Sequence, residues 1–109
     1  MSERFVLQFS TGESIIVRGT GLIGRAPVTQ PGEYVDILLP VYDPTKSMSK
    51  THLEFGQDAG EFWVSDRWSG NGTVVHPTDA PARRCEPGKR VRVERGARVE
   101  LGDQFFTLG

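Results

Sequence analysis

Short β-type segments, separated by glycine- and proline-containing turns, run along the whole of this chain and restrict the folds open to it. Thirteen glycines and seven prolines are spread over 109 residues, and almost no stretch repeats its apolar residues with the period of a helix. Many short strands joined by such turns are typical of antiparallel sandwiches and barrels, whereas alternating βαβ units need a helix between strands. The sequence therefore predicts an all-β fold, an antiparallel sandwich or barrel.

The predicted strands begin with a hairpin, because the β-rich segments 5–9 and 14–17 flank the turn sequence Ser10-Thr11-Gly12-Glu13. The further predicted strands are residues 21–24, 34–38, 52–55, 62–65, 73–75, 90–93, 99–101 and 104–108. Two irregular stretches, residues 26–33 and 40–50, are long for a compact domain. Loops of this length usually carry function.

The length and the net charge of the chain indicate a single small binding domain over residues 1–109 rather than an enzyme. A chain of this size encloses one modest core and leaves little room for a deep catalytic cleft. Its formal net charge is -1, whereas general affinity for nucleic acid or an anionic membrane needs many positive charges to neutralise phosphates. Neither is expected as a partner, and the isolated domain is expected to be monomeric.

The chain carries no sign of a membrane span, a secretion signal or a metal site. No apolar run approaches the ~20 residues of a transmembrane helix, and Met1-Ser2-Glu3-Arg4 lacks an apolar stretch. We therefore expect a cytoplasmic location. One cysteine, Cys85, excludes an internal disulfide, and with two scattered histidines it provides no zinc-ligand cluster. No cofactor is expected.

An arginine-rich stretch, residues 83–98, has two interpretations. The alternation Arg90-Val91-Arg92-Val93 places valines on one face of a strand and arginines on the other, as a half-solvated strand requires. Nearby glutamates partly neutralise the arginines. The favoured interpretation is a solvated face, and the alternative is a secondary surface for acidic partners or nucleic acid.

Three short polar elements occur in a fixed order beside predicted strands: Gly24-Arg25, Ser49-Lys50-Thr51-His52 and Ser69-Gly70-Asn71-Gly72-Thr73. An arginine guanidinium suits phosphate because its planar fork donates two parallel charge-assisted hydrogen bonds. A serine hydroxyl donates to a phosphate oxygen, and an asparagine amide both donates to and accepts from a peptide backbone. The order of the elements predicts a phosphate-binding site built from loops.

His52 and the Asn71-Gly72 pair each have a structural interpretation beside a functional one. His52 is either a catalytic base near Ser49 or a group that ties the loop by hydrogen bonds to the backbone, and the second is favoured. Asn71-Gly72 is the strongest short hairpin signal available, because both residues tolerate positive φ. It predicts a tight turn that also places the Asn71 amide on the loop surface.

Jointly, these elements resemble the forkhead-associated (FHA) domain. The resemblance is carried by Gly24-Arg25, Ser49-Lys50-Thr51-His52 and Asp66-x-x-Ser69-x-Asn71-Gly72-Thr73, closed by Leu101-Gly102-Asp103-Gln104-Phe105. It spans residues 5–108, essentially the whole chain. It implies an antiparallel β-sandwich of about eleven strands, with loops at one end that bind phosphothreonine peptides.

The resemblance also implies roles for individual residues. The residues implied to meet the phosphate are Arg25, Ser49, Lys50 and Gly70. Asn71 is implied to hydrogen-bond the peptide backbone next to the phosphothreonine. The residues implied to support the loops are Gly24, His52 and Gly72. Family members commonly carry Thr or Ser at the position of Gly70, where a hydroxyl reaches the phosphate, so the chain departs from the family pattern there.

The implied function is a phosphothreonine-dependent adaptor in Ser/Thr kinase signalling, whose partner is a phosphothreonine-containing protein such as a kinase or its substrate. Two alternatives belong to other classes. A hydrolase would use Ser49, His52 and Asp66, but the chain has no Gly-x-Ser-x-Gly elbow. A phosphate-independent interaction or scaffold domain is the second, because Gly70 removes a ligand group.

Overall fold

The computed structural model describes residues 4–109, which contain eleven strands and no helix. The strands are β1 Phe5–Phe9, β2 Ser14–Val17, β3 Gly21–Gly24, β4 Ile37–Pro40, β5 Leu53–Asp58, β6 Glu61–Asp66, β7 Thr73–His76, β8 Arg83–Arg84, β9 Arg90–Val93, β10 Arg98–Leu101 and β11 Gln104–Leu108. Within these described residues, no helix is long and apolar enough to cross a membrane.

The strands form two sheets. Sheet A has the order β2-β1-β11-β10-β7-β8, and sheet B has the order β4-β3-β5-β6-β9. Neighbouring strands are antiparallel except β3 and β4, which pair in parallel. Residues 25–36 connect these two strands, and a parallel pair needs such a long crossover connection. The predicted sandwich is confirmed, with one sheet mixed instead of fully antiparallel.

One apolar core joins the two sheets, and phenylalanines lie at its centre. The Phe62 ring lies 5.2 Å from Phe5, 5.6 Å from Phe55 and 6.5 Å from Phe106, measured between ring centroids. Phe5 and Phe106 belong to sheet A, whereas Phe55 and Phe62 belong to sheet B. Aromatic contacts of this kind add to the free energy gained by burying the rings. They fix the two sheets against each other and give the loops a rigid base.

The predicted strands differ from the observed ones at β4 and β8. The predicted strand 34–38 is wrong at its start: β4 begins at Ile37, and Tyr34 is 81% exposed. Asp36 accepts a hydrogen bond of 2.8 Å from the Thr20 main-chain N–H, so this segment is held by a side chain before the ladder begins. The short strand β8 was not predicted, because two arginines carry no alternation of apolar and polar residues.

The two hairpin signals in the sequence have different outcomes in the structure. β1 and β2 pair antiparallel around Gly12, which has a φ of +108°, so the first hairpin is confirmed. Asn71-Gly72, although a strong hairpin signal, does not join a hairpin, because the flanking strands β6 and β7 lie in different sheets. Among the described residues only Gly72 of the pair has a positive φ, of +80°, whereas a type I′ hairpin turn needs it at both positions.

The arginine-rich strand β9 has the half-solvated form favoured above. Val91 and Val93 are buried and the two arginines are exposed. Arg90 lies over the Trp63 ring, 3.9 Å from its centroid, and Arg92 makes a 3.0 Å ion pair with Glu61. Both guanidinium groups are therefore used in contacts on the surface of sheet B.

Candidate functional site

The three polar elements identified in the sequence meet at one end of the sandwich. The Arg25 main-chain N–H donates to the Ser49 carbonyl oxygen at 3.1 Å, which joins the end of β3 to the β4–β5 loop, residues 41–52. The Gly70 N–H donates to Ser49 Oγ at 2.9 Å, which joins that loop to the β6–β7 loop, residues 67–72. Ser49 therefore lies where the three elements come together.

Gly24 allows the end of β3 to approach the β4–β5 loop. A Cβ atom at Gly24 would lie 1.9 Å from the Lys50 carbonyl oxygen, which is backbone and has little freedom to move. The Ala26 N–H donates to this same oxygen at 3.1 Å. A larger residue at position 24 would therefore push the two segments apart and displace Arg25 with them.

The Arg25 side chain is half-buried and oriented by a single internal hydrogen bond. Its Nε donates to the Met48 carbonyl oxygen at 2.7 Å. Among the described residues, its two terminal nitrogens make no hydrogen bond and Arg25 forms no ion pair. The guanidinium is thus held in place while its planar fork stays available to an external anion.

Ser49 and Gly70 form the neighbouring part of the site. Because Ser49 Oγ accepts from the Gly70 N–H, its own hydroxyl hydrogen is left to donate elsewhere. Gly70 is exposed, does not use a positive φ, and has only Ser49 Oγ, at 3.9 Å, near the position of a Cβ. Lys50 follows Ser49 and is exposed. Ser49 thus supplies a hydroxyl, and Lys50 an exposed ammonium, in the loop that the Arg25 main chain contacts.

His52 is fully buried beneath the loops and bonds to the backbone on both sides. Its Nδ1 accepts from the Ser49 N–H at 3.0 Å, so its Nε2 carries the proton and donates to the Gly72 carbonyl oxygen at 2.9 Å. Burial lowers the pKa of His52 below its ordinary value, against the opposing effects of Gly72 and nearby carboxylates. The neutral imidazole therefore links the β4–β5 loop to the β6–β7 loop.

Buried Asp66 stabilises the β6–β7 loop through hydrogen bonds. Its carboxylate is buried and accepts from the Ser69 N–H at 3.1 Å, from the Ser69 hydroxyl at 2.5 Å and from the Thr73 hydroxyl at 2.7 Å. The Asp66 carbonyl oxygen also accepts from the Gly88 N–H at 2.8 Å. The Asp66-x-x-Ser69 spacing is thus a loop-closing motif that fixes Gly70 and Asn71 in position.

Ser49, His52 and Asp66 do not form a nucleophile, base and acid relay. His52 Nδ1 faces the Ser49 main-chain N–H and not its hydroxyl, while the Ser49 hydroxyl oxygen faces Gly70. His52 Nε2 lies 3.9 Å from the Asp66 carboxylate and donates to Gly72 instead. A hydrolytic relay needs the serine hydroxyl within hydrogen-bond reach of the base, and this arrangement lacks that contact.

Asn71 has a structural contact that the sequence did not indicate. Its Nδ2 donates to the Ser47 carbonyl oxygen at 2.7 Å, although the residue itself is exposed. This bond links the β6–β7 loop to the β4–β5 loop and orients the amide, whose Oδ1 makes no hydrogen bond among the described residues. The neighbouring Gly72 has Arg84 against it: a Cβ there would lie 2.4 Å from an Arg84 guanidinium nitrogen.

Asp43 organises the β4–β5 loop and was missed by the sequence analysis. Its carboxylate is 6% exposed and accepts from the Met48 N–H at 2.6 Å, the Thr45 hydroxyl at 3.0 Å, the Ser47 hydroxyl at 3.2 Å and Gln104 Nε2 at 3.3 Å. Burial opposes ionisation, but these hydrogen bonds together hold the pKa of Asp43 below its ordinary value. The Asp43-Pro44-Thr45 turn signal is visible in the sequence, but the contact with Gln104 is not.

Replacing Asp43 by asparagine is expected to destabilise the domain by about 1–3 kcal/mol at pH 7, because the charged acceptor of several hydrogen bonds is lost. A carboxylate with a lowered folded pKa stabilises the fold above its unfolded pKa, and this stabilisation is lost as the pH falls through the folded pKa. The difference between natural and variant domains should therefore shrink below the ordinary value of 3.8. Urea unfolding across this range measures it, and a difference constant with pH would contradict the assigned hydrogen bonds.

The comparison with known families identifies the fold and the family together. The family model described as FHA domain matches residues 21–102, a range that contains Arg25, Ser49, His52, Asp66 and Asn71. The chain belongs to the FHA domain family. A search of curated proteins finds no match.

Solved structures with the same fold are similar over nearly the whole chain. A structure described as a structural and functional analysis of phosphothreonine-dependent FHA domain interactions is 24% identical, with a TM-score of 0.68 over 97% of this chain and 95% of that one. The FHA domain of the CT664 protein from Chlamydia trachomatis is 23% identical, with a TM-score of 0.70 over 97% and 96%. The FhaA FHA domain, complexed with the intracellular domain of Rv3910, is 22% identical, with a TM-score of 0.68 over 96% and 99%.

Proposed function

We propose that this protein is a binding module that recognises phosphothreonine in a protein or peptide, and that it works as an adaptor in Ser/Thr kinase signalling. The observation that carries the proposal is the Arg25 guanidinium, anchored through Nε to Met48 with its terminal nitrogens unpaired among the described residues. Phosphothreonine brings about -1.5 to -2 charges and three acceptor oxygens. A fixed guanidinium, a serine hydroxyl and a lysine match this ligand without any catalytic group.

We assign each site residue a role that its position supports. Arg25 binds the phosphate through its fork, Ser49 donates its hydroxyl, and Lys50 adds a mobile positive charge. The Gly70 main chain lies next to the Ser49 hydroxyl, to which its N–H donates. Asn71 accepts a hydrogen bond from the peptide backbone through the Oδ1 that its bond to Ser47 leaves available.

The supporting residues act without contacting the ligand. Gly24 permits the close approach of β3 to the β4–β5 loop, and His52 and Gly72 hold this loop to the β6–β7 loop. A site preorganised in this way loses little conformational entropy on binding, which favours affinity.

The family and its solved members support the class of partner. Among the similar structures, one concerns phosphothreonine-dependent FHA domain interactions and another holds EmbR from Mycobacterium tuberculosis with a low-affinity phosphopeptide. For this chain we infer a phosphothreonine-containing partner, such as a Ser/Thr kinase or its substrate. We also infer that residues 1–109 are one monomeric FHA domain, that it binds without enzymatic turnover, and that it lies in the cytoplasm.

The test is a comparison of one ligand set with and without its phosphate. An oriented library of phosphothreonine peptides, screened against the purified protein, should yield binders whose affinity disappears after phosphatase treatment. Equal binding before and after treatment would favour a phosphate-independent interaction domain. Turnover of generic ester substrates would instead favour the hydrolase.

Replacing Gly70 by threonine is expected to tighten phosphothreonine binding by ~1 kcal/mol, because a hydroxyl donor is added beside a charged acceptor. Gly70 has an ordinary φ and open space around the Cβ position, so threonine fits without strain. The side chain should also narrow the recess around the ligand methyl, whose burial is worth ~0.8 kcal/mol, and raise the preference for phosphothreonine over phosphoserine.

A matched pair of phosphothreonine and phosphoserine peptides, titrated against both versions, measures these two effects. Gly70→Ala is the control, since it adds a Cβ without a hydroxyl. A folded Gly70→Thr protein that binds phosphothreonine more weakly than the natural domain would contradict the proposed geometry of this loop.

A further inference from the structure

A groove of about 330 Å³ opens beside Asn71, and its lining includes Ser47, Val74, Glu100 and Asp103. Asn71 is the residue proposed to hold the peptide backbone. A bound peptide that continues past Asn71 therefore passes over this groove, which is large enough to receive one of its side chains. The chemistry of the groove then affects which peptides bind.

The turn between β10 and β11 forms one wall of the groove. Gly102 has a φ of +65°, and a Cβ there would lie 2.6 Å from the Ser47 carbonyl oxygen, so only glycine lets the turn pack this closely. The Asp103 N–H donates to Ser47 Oγ at 2.7 Å, and the Thr45 hydroxyl donates to Asp103 Oδ2 at 2.8 Å. Asp103, which lines the groove, is thus held by hydrogen bonds to the β4–β5 loop. The same loop supports the phosphate site.

Val74 and Glu100 of sheet A line the groove together with Asn71 and Gly72 of the β6–β7 loop. Val74 is half-buried and lies in register between Glu100 of β10 and Arg84 of β8. Glu100 contacts His76 through Oε1, and among the described residues its Oε2 accepts no hydrogen bond. An Arg84 guanidinium nitrogen lies 3.5 Å from the Asn71 carbonyl oxygen. The lining thus contains one apolar side chain, Val74, and two carboxylate residues, Glu100 and Asp103, while Arg84 lies outside it, against Gly72.

We propose that this groove selects a lysine or an arginine in the phosphopeptide. The aliphatic stem of such a side chain packs on Val74 while its cation reaches Glu100 and Asp103, since long basic side chains bury their stems and keep their charge at a polar surface. An acidic side chain is disfavoured, because two residues of the lining carry carboxylates and the Arg84 guanidinium lies outside it. The inference rests on the proposed function, because Asn71 is what brings the peptide to the groove.

The experiment is a charge scan along a phosphothreonine peptide that binds the natural protein. Peptides carrying alanine, lysine or glutamate at each position in turn around the phosphothreonine are titrated at low and high salt. At one position, lysine should bind about two- to tenfold more tightly than alanine and glutamate more weakly, as expected for partly exposed ion pairs. The preference should shrink at high salt because these charges are screened.

Variants of the groove residues test whether the groove causes the preference for lysine. Asp103→Asn and Glu100→Gln should each lower the ratio of lysine to alanine affinity about two- to threefold. Glu94→Gln removes one exposed carboxylate beyond the other end of β10 and should leave the ratio unchanged. Thermal unfolding of each variant checks that the fold is kept.

The outcomes separate this inference from the proposed function. Phosphate-dependent binding with no preference for lysine at any position would reject the groove as a basic-residue site and leave the proposed function standing. A preference for glutamate that Arg84→Gln removes would overturn the inference and assign the groove to acidic side chains. Absence of phosphate-dependent binding throughout the scan would remove the proposed function and the inference with it.

Discussion

Replacing Arg25 by alanine is expected to weaken binding of phosphothreonine peptides by about 2–5 kcal/mol, which is at least about thirtyfold in Kd. The loss is large because the phosphate would keep its charge in a partly desolvated site without its main partner. The fold should survive, since the half-buried side chain makes one internal hydrogen bond, from Nε to the Met48 carbonyl oxygen at 2.7 Å. Calorimetric titration with phosphorylated and unphosphorylated forms of one peptide measures the effect.

Two further variants show whether charge or geometry accounts for this loss. Arg25→Lys keeps the positive charge but loses the planar fork and the Nε contact, so its affinity should fall between those of the natural and alanine proteins. Arg18→Ala removes an exposed arginine that precedes β3, whereas Arg25 follows this strand, and it should bind normally. Unchanged affinity in a folded Arg25→Ala protein would reject the assignment of the phosphate pocket.

Much of the fold could be predicted because its signals are local. The β-rich segments β1 and β2, the alternation in β9 and the glycine turn at Gly12 are read from a few neighbouring residues. The parallel pairing of β3 with β4 could not be predicted in this way, since it depends on how residues 25–36 cross over. The start of β4 depends likewise on the contact of Asp36 with Thr20, which lies on the other side of that loop.

In the candidate site, too, local features could be predicted and long-range contacts could not. Arg25, Ser49 and Asn71 were identified by residue type and order, and the structure brings their loops together. The contacts that hold these loops escaped prediction because they join distant segments. Asp43 reaches Gln104 near the end of the chain, and the Asn71 amide is bonded to the Ser47 carbonyl oxygen. Residue types indicate what a site binds, but its rigidity depends on pairings that only the folded chain determines.

Replacing His52 by alanine is expected to lower the free energy of unfolding by about 2–4 kcal/mol, through a buried cavity and two backbone groups left without a partner. These groups are the Ser49 N–H and the Gly72 carbonyl oxygen. Binding should weaken as well, because both loops of the site lose their link. Urea unfolding and peptide titration measure the two losses. His76→Ala is the matched control: that histidine is half-buried, and its removal should cost well under 1 kcal/mol.

The pH dependence of His52→Ala distinguishes a buried neutral imidazole from a group that contacts the ligand. Burial lowers the pKa of His52 from its ordinary value of 6.5, so protonation favours the unfolded chain. The stabilisation by His52 is complete above the unfolded pKa and is lost as the pH falls toward the folded pKa. The gap in unfolding free energy between natural and variant proteins should therefore narrow as the pH falls from 7 to about 5. Loss of binding without loss of stability, or a gap that widens in acid, would instead place His52 in contact with the phosphate as a cation.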